Sequence, residues 1–415
     1  MKRRDFVTGA LTGAVVGAGA VILTKKTTLN PGTPQDPGNS PNVGGKFHEW
    51  KMVTTWPKNF PGLGTGAQRL ADLISSMSDE RLNIKLYAAG ELVPAFETFD
   101  AVREGTAECG HAASYYWVAK HKSTPFFCAL PGGLTYVEHT GWIQHGGGQK
   151  LWDELYSEFG MRAFLAGGTG AQMGGWFKNE IKSLDDFQGL KFRIPGLGAE
   201  VVNRMGATAV NTPGGEIMSA LQSGVIDGAE WIGPWNDLAF GFHKAALHYY
   251  GPGFQEGGTA AELMINLKAW ETLPKDLQDI VHTASLALTS SMPSEYFARN
   301  AGSLPVLLDD HGVQLHTFPE EVVSAMYRIS NEVVAETASE SELSRRIYEN
   351  WSNYRQLAIA YQPYSILGFS RDRGKNLIRA KYFFSEEKKK AEFLLSLPNT
   401  QSCVVNKNAL TNKCN

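Results

Sequence analysis

A few side chains in this 415-residue sequence are of the kinds that hold a small charged molecule. Arg193 lies in "GLKFRIPG", Glu230 in "DGAEWIGPWND", Gln172 in "GGTGAQMGG", Glu256 in "GPGFQEGG", and Tyr115 and Tyr116 in "HAASYYW". A guanidinium is a planar fork that grips a carboxylate through two parallel hydrogen bonds, which an ammonium cannot do. Two readings of Arg193 are open: that clamp, or an ordinary solvent-facing residue beside Lys191, opposite Leu190, Phe192 and Ile194. Glu230 is either a water-facing acid or, beside Trp231 and Trp235, a partly desolvated carboxylate. In the second case it needs a partner, either Arg193 itself or a cation. The side-chain oxygens of Gln172, Glu230 and Glu256, without His or Cys, suit a hard cation such as sodium or calcium rather than zinc. Tyr115 and Tyr116 are either core aromatics or ligand contacts.

Motifs for catalysis are missing from the sequence. "GGTGAQMGG" lacks the third glycine of a dinucleotide fingerprint, and no Gly-Lys-Ser/Thr follows it. "HGGG" (His145 to Gly148) is like a lipase oxyanion loop, but no G-x-S-x-G supplies a nucleophile. There is no H-E-x-x-H and no Asp-rich calcium loop, so a binding protein is expected rather than an enzyme. The formal net charge of −3, without a long basic run, argues against nucleic acid as a partner. Hydrophobic content of 43% is ample for a globular core, and the length favours two lobes or domains.

The elements that must position these residues follow from periodicity. The start, "MKRRDFVTGALTGAVVGAGAVILTKK", has a basic beginning and an uncharged run from Phe6 to Leu23. That run of about 18 mostly small residues is marginal for spanning a bilayer and fits a secretory signal better. Arg3-Arg4 gives it a twin-arginine character, and Ala18-Gly19-Ala20 is a candidate cleavage site. Cleaved or kept as an anchor, it places the mature chain outside the cytoplasm. A Pro- and Gly-rich tether follows over residues 27–47. Trp50, Met52, Thr54 and Trp56 then share one strand face, Leu70, Leu73, Ile74 and Met77 one helix face, and "NIKLYAAG" is a second strand. Strand, helix, strand at short intervals indicates an α/β lobe. "AVREGTAECGH" and "ALQSGVIDGAE" match as helix, left-handed Gly and strand, which would place His111 and Glu230 equivalently in two lobes. Ser183 is expected to cap a short turn. Leu343, Ile347, Trp351, Tyr354, Ala358 and Tyr361 form one helical stripe, a packing face against the core or a partner subunit. Cys109 could pair with Cys128 and Cys403 with Cys414, or these are inert buried thiols.

Five segments in order, "YAAGELVPAFETFDAVREGTAECGH", "GTGAQMGGWF", "GLKFRIPG", "DGAEWIGPWND" and "GPGFQEGG", give the chain a resemblance to the substrate-binding proteins of TRAP transporters. The resemblance runs from about Trp50 to about Phe369, and its branch is that of 2-oxo acid and mannitol/chloroaromatic transport. It implies a periplasmic-binding-protein-like α/β fold of two lobes with a cleft between them and long C-terminal helices. The expected division is a signal over 1–26, lobe I over 48–165 with later returning segments, and lobe II over 166–256. Crossing strands and helices over 257–369 and an extension over 370–415 complete it. By resemblance Arg193 clamps a ligand carboxylate. Gln172, Glu230 and the Trp231 carbonyl hold a sodium or calcium ion that bridges to the ligand, Glu256 is a further ligand, and Tyr115 and Tyr116 face them. The implied ligand is a small monocarboxylate, a 2-oxo or 2-hydroxy acid, and the implied partners are the membrane permease subunits; some relatives are homodimers. A sensor or scaffold of the same fold, and a secreted enzyme, are the rival readings.

Overall fold

The structure is a computed structural model that describes residues 46–377. The signal segment, nearly all of the tether, Cys403, Cys414 and most of the extension lie outside the described residues. Two sheets organise the rest. The first contains β1 (His48–Thr54), β2 (Leu82–Tyr87), β3 (Cys109–Ala112), β4 (Met161–Gly168) and β10 (Ala260–Asn266), in the order β2-β1-β3-β10-β4. The second contains β5 (Gly175–Phe177), β6 (Lys191–Arg193), β7 (Thr208–Val210), β8 (Gly228–Ala229), β9 (His248–Tyr250) and β11 (Gln314–His316), in the order β11-β9-β5-β8-β6-β7. Within the first sheet β1 runs parallel to β2 and β3, while β10 returns antiparallel between β3 and β4. In the second, β6 runs parallel to β7 and β8, and β5 antiparallel to β8 and β9.

The period-two face of β1 is buried as the alternation predicts, with Trp50, Met52, Thr54 and Trp56 all covered. Helix Leu63–Met77 buries Leu70 and Ile74 and leaves Leu73 partly covered, but Met77, at its last turn, is 43% exposed. Ser183 caps the turn Leu184–Phe187 in a capping box with Asp186. The stripe on helix Glu342–Tyr361 buries Leu343, Ile347 and Trp351 and ends at an exposed Tyr361. Cys109 and Cys128 are free, buried thiols, so the pairing considered for them does not form.

The matching helix-Gly-strand segments are the same device in both sheets. Helix Thr98–Arg103 leads through Gly105 (φ 78°) to β3, and helix Ile217–Ser223 through Gly224 (φ 79°) to β8. A left-handed residue is required at each junction, and glycine adopts it without a Cβ penalty. In each sheet the acid three residues later accepts a backbone N–H from the neighbouring parallel strand. Glu108 Oε2 takes that of Lys51 at 2.7 Å, and Asp227 Oδ2 that of Lys191 at 3.0 Å. His111 and Glu230 then fall at matching strand ends.

The two sheets are joined by the chain leaving β4 toward β5 and by the chain returning from β9 to β10. Helix Lys275–Pro305, ~46 Å long at the α-helical rise, touches both the end of β4 and the helix Pro234–Phe240. Its Met292 lies against Gly167 of β4. Its Tyr296 hydroxyl donates to Asn236 Oδ1 at 2.8 Å, and Asn300 Oδ1 accepts from the Trp235 N–H at 2.9 Å. Pro293 cannot donate to the Thr289 carbonyl one turn earlier, and the Tyr136 hydroxyl does so instead at 2.8 Å.

Glu262, in the middle of β10, has no solvent exposure and accepts from Trp117 Nε1 and the Tyr156 hydroxyl, each at 2.7 Å. Burial pushes its pKa up to about 7, against the pull of these two bonds. The folded chain therefore keeps a proton that the unfolded chain releases near pH 4.5. This contribution to stability is complete below that value and is lost as pH rises through 7. Glu262→Gln should match the wild type in urea unfolding at pH 4 and exceed it at pH 8, by on the order of 3 kcal/mol.

Candidate functional site

Strand pairing brings Arg193 and Glu230 together. β6 and β8 are parallel neighbours with Arg193 opposite Ala229, so Glu230 emerges one residue beyond β8, and its N–H donates to the Arg193 carbonyl at 3.1 Å. Gly228 allows this, because a Cβ there would meet the Trp176 carbonyl of β5 at 2.8 Å. Arg193 Nη1 donates to Glu230 Oε1 at 2.5 Å and to its carbonyl at 2.8 Å, and Nε donates to the Thr212 carbonyl at 3.0 Å. The guanidinium stands over the Trp231 ring, 5.2 Å from its centroid. Arg193 is 1% exposed and Glu230 fully buried, which excludes the solvent-facing reading of both.

Burial opposes charge on Arg193, but Glu230 and the two tyrosines more than offset that and raise its pKa. Burial likewise raises the Glu230 pKa well above the ordinary glutamate value, and Arg193 pulls it down only in part. The arginine is therefore the fixed charge of the pair. Glu230 is a carboxylate still short of positive partners.

Gln172 and Glu256 lie on the two connections between the sheets, and both are buried. Gln172 Nε2 donates to Thr169 Oγ1 at 3.1 Å and to Thr259 Oγ1. The Thr259 hydroxyl donates in turn to Glu256 Oε2. Burial pushes Glu256 up to about 7 against the bond from Thr259, the charge of Arg193 and the neighbouring Tyr115 hydroxyl. Tyr115 and Tyr116 follow β3 and reach the same cluster from the first sheet. The Tyr115 side chain lies against Gly196, three residues after Arg193, and Tyr116 packs edge-on to it. Burial raises both phenols, Tyr116 to about 12, so both stay protonated donors. Trp231 packs edge-on to Phe60 of the facing side, and Trp235 packs against Tyr296.

Three residues without a role in the sequence reading shape the site. Asp237 closes the "DGAEWIGPWND" segment. Its Oδ1 accepts the N–H groups of Ile232 and Gly233 at 3.4 and 3.2 Å, and its Oδ2 accepts from Trp176 Nε1 at 2.9 Å and the Tyr249 hydroxyl at 2.7 Å. Burial lifts its pKa to about 6 in spite of these bonds. Gln255, next to Glu256, donates to the Met173 carbonyl at 2.8 Å and lies against Glu230. Thr259 is the third.

The unpartnered polar atoms divide by type. Arg193 Nη2 is a buried donor without an acceptor, and Glu230 Oε2, Gln172 Oε1 and Gln255 Oε1 are buried acceptors without donors. One enclosed cluster thus presents a cationic donor and a group of oxygens, the complement of an anion and a hard cation. Among the described residues no three His, Cys, Asp or Glu side chains converge as a metal site, so an ion here would need amide and carbonyl oxygens as well.

A family model described as bacterial extracellular solute-binding protein, family 7, matches residues 52–341. The chain belongs to that family. It is a solute-binding protein of the TRAP-transporter class, and the family binds solutes rather than transforming them. The monocarboxylate 2-oxoacid-binding periplasmic protein of Nostoc sp. (strain PCC 7120) is 39% identical over 369 residues, 89% of this chain and 98% of that one. A TRAP solute-binding protein from Bordetella bronchiseptica RB50 is 34% identical with a TM-score of 0.79, over 81% of this chain and all of that one. It is a mixed-occupancy dimer with copurified calcium and picolinate in one active site and the other apo. The protein from Pseudoalteromonas atlantica T6c, with bound sodium and pyruvate, is 37% identical with a TM-score of 0.76, over 79% of this chain and 99% of that one. These likenesses cover the two-lobed architecture of the solute-binding protein. No helix among its described residues is long and apolar enough to cross a membrane.

Asp237→Asn swaps two of four accepting lone-pair directions for donors that face other donors. It should cost about 2–3 kcal/mol in chemical denaturation, with faster hydrogen exchange at Ile232 and Gly233.

Proposed function

We propose that this solute-binding protein takes up a small monocarboxylate, a 2-oxo or 2-hydroxy acid, together with a sodium or calcium ion in the cluster around Arg193. The observation that carries this is the pairing of a free Arg193 Nη2 donor with free Glu230 and Gln172 oxygens in one buried place. A carboxylate satisfies the donor, a hard cation satisfies the acceptors, and a 2-oxo or 2-hydroxy oxygen beside the carboxylate can reach the same cation. Gln172 Oε1, Glu230 Oε2 and the Trp231 carbonyl hold the ion, and Arg193 orients the acid. Glu256 adds negative charge beside them, and Tyr115 and Tyr116 close the facing side. The ion neutralises part of the Glu230 charge that Arg193 leaves uncompensated. Exclusion of water strengthens each of these interactions. Relatives that bind pyruvate with sodium or calcium support the same chemistry.

The N-terminal segment with Arg3-Arg4 exports the chain to the periplasm, where it delivers its ligand to membrane permease subunits. Deletion of the chain with the permease intact should abolish uptake; a sensor or scaffold role predicts uptake unchanged. We also infer a homodimer. Leu357, Tyr361, Tyr364, Leu367 and Phe369, each more than half exposed, continue the apolar end of helix Glu342–Tyr361. An unpartnered surface of that kind is characteristic of a subunit contact, and the B. bronchiseptica relative is a dimer.

Arg193→Ala should abolish pyruvate binding in calorimetry while calcium or sodium still raises the melting temperature. Unchanged pyruvate affinity would remove the clamp from the reading. In light scattering, Leu367→Glu combined with Phe369→Glu should give a monomer with pyruvate affinity retained.

A further inference from the structure

We propose that Glu256 serves the cation at one remove, as a positioning residue: through Thr259 it fixes the Gln172 amide with its oxygen toward the ion. This rests on the cation site proposed around Gln172 and Glu230. A threonine hydroxyl has one proton to donate and lone pairs with which to accept. Thr259 gives its proton to Glu256 Oε2, an ionisable acceptor three residues away. Thr169 gives its proton to the Gly170 carbonyl at 2.9 Å. Both hydroxyls therefore turn lone pairs toward the Gln172 amide, and both accept from Nε2. With the amide flipped, Oε1 would face two hydroxyl oxygens whose protons are already committed. The network thus selects one of the two orientations of the amide. The selected orientation leaves Oε1 as the buried acceptor without a donor. Neither Glu256 oxygen is in that position, because Oε2 is engaged by Thr259 and neither is among the buried unpartnered atoms.

The place of the network in the fold adds a second consequence. Thr169 is the first residue beyond β4, and Thr259 is the last before β10, whose Ala260 pairs with Gly168. The Thr169 N–H donates to the Thr259 carbonyl and the Thr259 N–H to Thr169 Oγ1, both at 3.1 Å. The residues that orient Gln172 are thus the ones that hold the two connections between the sheets together. Groups that hold a metal ligand in place commonly change metal affinity by 10- to 100-fold, and here the same hydroxyls also tie the two connections together.

The test is a thermal-shift titration of the full chain with calcium chloride alone, after chelation and without any organic acid. Thr259→Val keeps the Glu256 carboxyl group and frees its Oε2. If Glu256 were a direct ligand, calcium would bind Thr259→Val as tightly as the wild type or more so. The relay predicts apparent affinity weakened about tenfold or more, with Thr259→Ser restoring it to within about threefold, since serine supplies the same donor and acceptor. Thr169→Val, which removes the other acceptor, should shift affinity in the same direction and serves if Thr259→Val does not fold. Glu230→Gln is the control for the site itself. If it weakens calcium binding while the threonine variants do not, the relay is wrong and the site stands. If Glu230→Gln leaves calcium binding unchanged, the cation site is wrong and the relay falls with it.

Discussion

Arg193 and Glu230 are buried together almost out of reach of water, and much of the surrounding structure answers the cost of that arrangement. Taking either charge out of water costs several kcal/mol, and mutual attraction repays this only when the remaining donors and acceptors are engaged. Arg193 is engaged on two of its nitrogens by Glu230 and by the Thr212 carbonyl beyond β7. Trp231 covers its face. Asp237 holds the backbone just after Trp231, and Trp176 and Tyr249 hold Asp237. The order β5-β8-β6-β7 is therefore the arrangement that places a guanidinium, a carboxylate and their supports at one sheet edge. The third guanidinium nitrogen and the second Glu230 oxygen are the groups of the pair left without a partner.

Rigidity and movement are separated along the chain. Arg193 lies on β6, Glu230 one residue beyond β8 and Asp237 on the short helix Pro234–Phe240 that follows, so all three belong to the second sheet and its immediate continuation. Gln172 and Glu256 sit on the two connections, so any rotation of one sheet against the other passes through them. The tyrosines come from the first sheet. The site is thus assembled from three groups of residues: the second sheet, the two connections and the first sheet. Helix Lys275–Pro305 is packed against β4 at one place and bonded to Trp235 and Asn236 at another.

Much of the fold and part of the site were legible in the sequence, for identifiable reasons. The β1 alternation, the Ser183 cap and the helix-Gly-strand match are local signals, and local signals survive folding. Arg193 and Glu230 stood out by residue type on a short strand or among aromatics. Their contact was one of two partners left open for Glu230, and choosing it depends on β6 and β8 being neighbours. Thr259 gave no signal at all: a threonine in a Gly-rich turn is ordinary, and its role arises only when it meets Gln172, 87 residues away in sequence. Asp237 was hidden for the same reason, since two of its four donors, Trp176 and Tyr249, arrive from other strands. The stripe from Leu343 to Tyr361 was legible as a packing face, but periodicity does not say where the core stops covering it; Leu343, Ile347 and Trp351 are buried and Tyr361 is exposed.

The duplicated helix-Gly-strand device ends in two very different side chains. His111 accepts from Trp56 Nε1 at 2.8 Å, so its other nitrogen carries the proton and donates to the Ala166 carbonyl at 2.8 Å. Burial lowers its pKa to about 4, and it stays neutral with both nitrogens spent. Glu230, at the matching place, keeps an Oε2 without a partner. The same backbone cassette thus yields a histidine with both nitrogens engaged on one side and a carboxyl group with a spare oxygen on the other. A lineage that needed a new cargo could rework the carboxyl side without touching the histidine side, as long as the two glycines and the two strand-bridging acids were kept.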